Sequence, residues 1–204
     1  VHMKIDPYNH QERYLNWKEK TSDGIPDISI ENSTIIKHFL NDMGLGINVS
    51  NGSKKGARSY IRLNTLKDRM VLLAKRFKNY LGLDNIVEIK EEQLITLFAD
   101  MRNGNIRRND GKEYKSVVDY VKTFKSFWHW HIKTQKKQGK EIQDICVDLD
   151  TSKEKAQWVY LTEEHVKGLC DNAKYFYKVL IMFLYDSGIR APTELMNVKV
   201  SDLY

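Results

Sequence analysis

The stretch that decides the fold is residues 161–195, LTEEHVKGLCDNAKYFYKVLIMFLYDSGIRAPTEL. Thr162 precedes two glutamates, an order that favours a capped helix start, because a hydroxyl accepts from free amides and acidic side chains suit the positive end of a helix. Apolar residues then recur at helical spacing as far as Leu180, and residues 179–185 are nearly all apolar. This pattern predicts a helix that is buried on most sides. The letters DSG at 186–188 predict its end.

Arg190 follows this helix end by two residues and comes just before Pro192, a residue that suits the first turn of a new helix. A guanidinium at such a corner, beside free helix amides, can bind a phosphate. It can equally cap the preceding helix or pair with Glu194. The spacing alone leaves these roles open.

The wording of this stretch resembles the opening of the catalytic domain of tyrosine recombinases, the phage-integrase family. The matching pieces are LTEEHV at 161–166, FLYDSGIR at 183–190, TEL at 193–195 and VKVSDL at 198–203. The resemblance implies that Arg190 is the family's first catalytic arginine, which binds the scissile phosphate. It also implies a supporting role for Glu194, although Glu194 follows the arginine by four residues where the family usually has three.

Charge is distributed unevenly along the 204 residues. Residues 1–44 hold 5 basic and 7 acidic side chains, residues 45–138 hold 20 and 9, and residues 139–204 hold 8 and 11. A net charge of +11 in the middle section is typical of a protein that binds a polyanion such as DNA. A solvated, lysine-rich surface is the alternative interpretation.

Amphipathic patterns predict a short helix within residues 4–20 and longer helices near 30–43, 91–102 and 114–137, the first of these closed by Gly44. They also predict a long helix that starts at about Ser59 or Asn64, runs to Leu81 and is closed by Gly82. In the helix near 114–137, lysines lie opposite the apolar face, while His129 and Trp130 can either touch a sugar or phosphate or pack at a domain edge. The candidate DNA contacts are all basic: Lys54, Lys55, Arg58, Arg62, Arg69, Arg76, Arg107, Arg108, Lys115, Lys122, Lys125, Lys133 and Lys136.

These helices resemble the core-binding domain that precedes the catalytic domain in tyrosine recombinases. We therefore expect a mainly α chain, with a helical SAM-like core-binding domain followed by the first helices of a catalytic domain. The expected boundaries are 1–29 for an N-terminal extension with one short helix, 30–138 for a four-helix core-binding domain, 139–160 for a linker and 161–204 for the start of the catalytic domain.

The family's reaction uses a tyrosine nucleophile, which forms a 3′-phosphotyrosyl link with DNA, and further cations that stabilise charge on the phosphate. All of these lie downstream of the first arginine, and Tyr204 is too close to Arg190 to be the nucleophile. The resemblance thus implies the DNA-binding N-terminal portion of a site-specific recombinase, inactive by itself. The alternatives are a non-catalytic DNA-binding accessory or regulatory relative, and a helical protein-interaction module whose basic face meets an acidic partner.

The expected partner is double-stranded DNA, with self-association on DNA in the full-length parent and a cytoplasmic, nucleoid-associated location. No membrane partner is expected, because no apolar run approaches the roughly 20 residues of a membrane span. We expect no metal, cofactor or small-molecule substrate. Cys146 and Cys170 lack the spacing of metal ligands and are expected to be reduced, buried thiols.

Overall fold

The computed structural model describes residues 5–49, 55–152 and 159–202. These residues form helices, turns and loops with no strand, so the prediction of a mainly α chain is confirmed for them. They divide into two compact units, one made of residues 10–152 and the other of residues 5–9 with 159–202. Across the described residues, no helix has the length and apolar character needed to cross a membrane.

Five α-helices build the larger unit: α1 (His10–Lys20), α2 (Ile30–Leu45), α3 (Tyr60–Leu81), α4 (Glu91–Arg102) and α5 (Val117–Lys137), with a short 3-10 helix (Ile86–Glu88) before α4. The bounds of α3 follow from its caps. The Ser59 hydroxyl accepts from the Arg62 amide, and Gly82 ends the helix at a left-handed φ of 65°. Helix α2 runs past the predicted stop at Gly44 and ends at Gly46, with φ 74°.

Helix α3 lies at the centre of the larger unit, where it packs against α1, α2 and α5, while α4 packs on α5. Aromatic rings fill the space between these helices. Phe39 of α2 meets Phe127 of α5 edge to face at 5.5 Å, and Phe77 of α3 meets Phe124 of α5 in the same way at 5.7 Å. Such edge-to-face pairs stabilise a core beyond the area they bury.

This core extends beyond the predicted boundaries of residues 30–138. It also contains Tyr14 and Ile25 from the predicted N-terminal extension, and Ile145, Cys146 and Leu149 from the predicted linker. The reason is tertiary packing at both ends: α1 packs on α3, and the indole N–H of Trp128 donates to the Gln143 carbonyl at 3.0 Å. The compact unit therefore holds the four α-helices expected within residues 30–138 together with α1 and the first half of the segment expected to be a linker.

The smaller unit holds α6 (Glu163–Asp171), α7 (Tyr175–Ser187) and two 3-10 turns, Leu195–Asn197 and Val200–Asp202. Thr162 caps α6 as predicted, since its hydroxyl accepts from the His165 amide at 3.3 Å. The helical spacing expected to continue as far as Leu180 is interrupted between Asp171 and Tyr175, where one helix ends and the next begins.

The expectation that residues 179–185 are buried on most sides is wrong for this unit. No residue of α7 is buried, and Val179 and Tyr185, at the two ends of this run, are 50% and 49% exposed. Helix α6 is the element that packs against α7. A helix that is apolar around its whole circumference needs cover on several sides, and one short neighbour does not supply it.

Candidate nucleic-acid interface

Arg62 of α3 lies near two other arginines, Arg58 just before the helix and Arg69 two turns further along it. We call Arg58, Arg62 and Arg69 the arginine face. Burial is the main cause that lowers the pKa of Arg62, and the nearby charges of Arg69 and Arg58 lower it further, while Asp119 opposes them. The Arg62 guanidinium forms no ion pair or hydrogen bond with the described residues. A half-buried cation held near two like charges and lacking a partner attracts an anion.

Arg69 is held in place by the first turns of α5. Its Nη2 lies 3.1 Å from the Asp119 carboxylate, and its Nη1 lies 3.4 Å from the Asp119 carbonyl and 3.5 Å from the Thr123 hydroxyl. The guanidinium also sits over the ring of Tyr120, 5.7 Å from the centroid. Arg69 therefore joins α3 to α5. In the arginine face, its charge is paired with a carboxylate, while Arg58 and Arg62 form no ion pair with the described residues.

Arg76 is buried and serves the larger unit internally. Its Nε and Nη2 donate to the hydroxyl of Tyr114 at 3.1 and 3.0 Å, and Nη2 also donates at 3.0 Å to the Arg107 carbonyl and to Asn109 Oδ1. These acceptors belong to the segment between α4 and α5. Although Arg76 follows Arg69 by seven residues on α3, its charge is used to hold this segment and is directed away from solvent.

Arg107 and Arg108, the loop arginines predicted from the sequence to contact DNA, are exposed and form their ion pairs within their own loop. Arg107 donates to the carbonyls of Gly104 and Gly111, and it lies 3.4 Å from Glu113. Arg108 pairs with Asp110 at 3.1 Å. About half of each side chain is nevertheless open to solvent, so both can shift to a phosphate at small cost, because exposed ion pairs are weak.

The lysines of α5 separate into two groups. Lys125 donates to the Cys146 carbonyl at 2.6 Å and Lys133 to the Val49 carbonyl at 2.9 Å, so these two tie neighbouring segments to the helix. The second group is exposed and pairs with none of the described residues; it consists of Lys115, Lys122 and Lys136. Lys55 is exposed as well, and Lys54 lies outside the described residues.

A polar centre that the sequence did not indicate lies beneath the lysine-rich end of α5. Asp42 is buried on α2, and its carboxylate accepts from the Trp130 indole at 2.8 Å and from the Asn48 amide at 2.7 Å. Lys137 in turn donates to Asn48 Oδ1 at 2.5 Å. Trp130 is thus a packing residue, and His129 contacts Asp144 at 3.0 Å.

In the smaller unit, Arg190 is exposed and its guanidinium forms no hydrogen bond or ion pair with the described residues. The Glu194 carboxylate accepts from the backbone amide of Arg190 at 2.8 Å, which makes Glu194 a backbone support for the corner and not a partner of the charge. Pro192 does not begin an α-helix; a turn leads directly to the 3-10 helix at Leu195. The α-helix predicted there is therefore absent: the Glu194 and Met196 amides each donate to the carbonyl four residues before them, but the Asn197 and Val198 amides donate three residues back, so no α-helix continues.

The described residues hold two cysteines and no candidate metal site. No group of three or more His, Cys, Asp or Glu side chains there can hold a metal ion. Cys146 and Cys170 are free and buried, as predicted, and burial is the main cause that raises the pKa of Cys146 to about 12. The arrangement that remains is a cationic surface.

No protein-family model, curated protein or solved structure matches the chain. The function therefore rests on the residues themselves.

Proposed function

We infer that residues 10–152 bind double-stranded DNA, through the arginine face and the exposed lysines at the start of α5. The observation that carries this proposal is the charge balance of that surface. The Asp119 carboxylate pairs with Arg69, while Arg62 lies near the positive charges of both Arg69 and Arg58 and has no ion-pair partner among the described residues. Lys122 follows Asp119 by one helical turn and adds a further exposed cation. A DNA phosphate supplies the anion that Arg58 and Arg62 lack.

The desolvation of Arg62 favours phosphate over a purely hydrated surface. Keeping a guanidinium half-buried without a partner costs free energy, and this cost is recovered when an anion arrives. A solvated lysine-rich face does not carry this cost, because its ammonium groups stay in water. Arginine is also the residue whose planar fork matches a phosphate best.

The second part of the proposal is that this unit serves a site-specific tyrosine recombinase. Its support is the wording of residues 161–203, which resembles the start of that family's catalytic domain. The exposed guanidinium of Arg190, at a corner braced by Glu194, is compatible with contact to a scissile phosphate.

DNA binding is tested by fluorescence anisotropy with a labelled duplex of about 30 base pairs over a range of salt concentrations. Phosphate contacts from Arg58, Arg62, Lys115 and Lys122 predict a slope of log K against log salt of about −3.6, since each of the four contributes about −0.9. Binding that is independent of salt, or the absence of binding at low salt, would refute the proposal. An acidic protein that binds where duplex DNA does not would favour the protein-interaction alternative.

The recombinase role is tested by reading the gene downstream of the codon for Tyr204. A continuous reading frame that encodes a His-x-x-Arg pair and a later tyrosine supports the role, because these residues complete the family's chemistry. A frame without them, combined with salt-dependent DNA binding, would favour the accessory protein.

A further inference from the structure

One carboxylate lies within the arginine face, and its position is not explained by phosphate binding. The side chain of Asp119 is 43% exposed, and only its Oδ2 is engaged by Arg69. Within the described residues, no hydrogen bond reaches Oδ1. A carboxylate open to solvent on such a surface repels the DNA backbone, so a surface that bound phosphates alone would be better without it.

The pair made by Arg69 and Asp119 is rigid and carries both donors and acceptors. Three contacts from Asp119 and Thr123, together with the Tyr120 ring, fix the guanidinium. Arginine has five N–H donors, so donors remain beyond these contacts, and Asp119 Oδ1 remains as an acceptor. Because the pair is nearly neutral, a phosphate adds little binding free energy there. A partner whose acceptors and donors match those of the pair adds more.

The edge of a G·C base pair in the major groove has that pattern. Guanine presents the acceptors N7 and O6, which arginine binds, and cytosine presents an N4 amino group, which a carboxylate accepts from. Asp119 lies in the first turn of α5, and an α-helix fits the major groove. Arg58 and Arg62 can bind the adjacent backbone, which positions a protein without specifying sequence.

We propose that Arg69 and Asp119 form a base-reading pair that selects G·C at one position of the bound duplex. The inference rests on the proposed DNA-binding function and adds the element of sequence that the binding recognises. Asp119 both orients Arg69 and contacts the cytosine amino group.

The experiment is selection from a pool of duplexes with a randomised central segment, performed with the whole chain and with three variants. The wild type is expected to enrich G·C at one position by roughly tenfold or more, the discrimination of one good base contact. Asp119→Ala should lose this preference. Asp119→Asn should shift it toward adenine, because an amide pairs with adenine N6 and N7.

Asp84→Ala is the matched control, since Asp84 is an exposed acid that pairs with Lys78 at 3.1 Å beyond the end of α3. It should leave the preference unchanged. Equal thermal midpoints show that the variants are folded. If Asp119→Ala keeps the wild-type preference, or if the wild type binds duplex without enriching any base, the base-reading pair is refuted while DNA binding stands. If the wild type does not bind duplex at all, both proposals fail.

Discussion

Replacing Arg76 with alanine separates the internal arginine of α3 from those proposed to bind DNA. The Arg76 guanidinium donates to the Tyr114 hydroxyl, the Arg107 carbonyl and Asn109 Oδ1, and it lies 5.8 Å from the ring centroid of Tyr80. Tyr114 is buried, so its hydroxyl is left without this donor in the variant, at a cost of about 1–3 kcal/mol.

Loss of the contacts with the rings of Tyr80 and Tyr114, the second centred 6.0 Å from the guanidinium, adds about 0.5–1 kcal/mol each. The other two acceptors are less deeply buried and can be reached by water, so they add little. The free energy of unfolding should therefore fall by about 3 kcal/mol. With a urea slope of about 2 kcal/mol per molar, this corresponds to a shift in the unfolding midpoint of about 1.5 M.

Tryptophan fluorescence during urea unfolding measures this loss, because Trp17, Trp128 and Trp130 all lie in the larger unit. The DNA affinity of the folded Arg76→Ala protein should stay within a few-fold of wild type, since the guanidinium does not face solvent. An unchanged urea midpoint together with a large loss of DNA affinity would refute the reasoning. It would mean that Arg76 leaves its internal acceptors and binds a phosphate.

Two further predictions concern the larger unit. Gly46→Ala should lower the free energy of unfolding, measured in urea, by at least twice the roughly 1 kcal/mol expected for Gly82→Ala. Both glycines have a positive φ, but only at Gly46 would a Cβ lie 2.3 Å from the Gly56 backbone. Equal losses of stability in the two variants would refute the close approach at Gly46. Burial raises the pKa of the Cys146 thiol, so its contribution to stability is complete below the unfolded-state pKa of about 9 and is lost toward about 12. Above pH 9, stability should fall with pH by up to about 1.4 kcal/mol per unit more in the wild type than in Cys146→Ala; parallel pH profiles would contradict this.

Helix positions could be predicted because their signals are local. Ser59 and Gly82 bound α3, and Thr162 caps α6, each through hydrogen bonds to residues three to five positions away. Such contacts depend on residue type and spacing, which the sequence displays directly. The mainly α character of the chain follows from these signals together with apolar periodicity.

The roles of individual basic residues could not be predicted, because they depend on distant partners. Arg62, Arg69 and Arg76 share one side of α3 by their spacing of seven. Their surroundings differ because Asp119 and Tyr114, distant in sequence, approach Arg69 and Arg76 respectively. The sequence gives the direction of a side chain along a helix and does not give what lies opposite it.

Asp42 and α7 show the same limit for burial. An acid among the apolar residues of α2 signals something unusual, but its indole partner Trp130 lies 88 positions away. The apolar composition of α7 predicts burial. Whether another element covers α7 depends on packing, and within the described residues α7 stays exposed.

The measurement that tests the central claim most directly is the salt dependence of duplex binding by Arg62→Ala compared with Lys90→Ala. Each variant removes one positive charge, but Lys90 is an exposed residue at the N-cap of α4, between Glu88 and Glu91 in the sequence, and is not part of the arginine face. If the arginine face contacts the DNA backbone, Arg62→Ala should reduce the magnitude of the slope of log K against log salt by about 0.9 and Lys90→Ala should leave it unchanged. Equal slopes for the wild type and both variants would contradict the account.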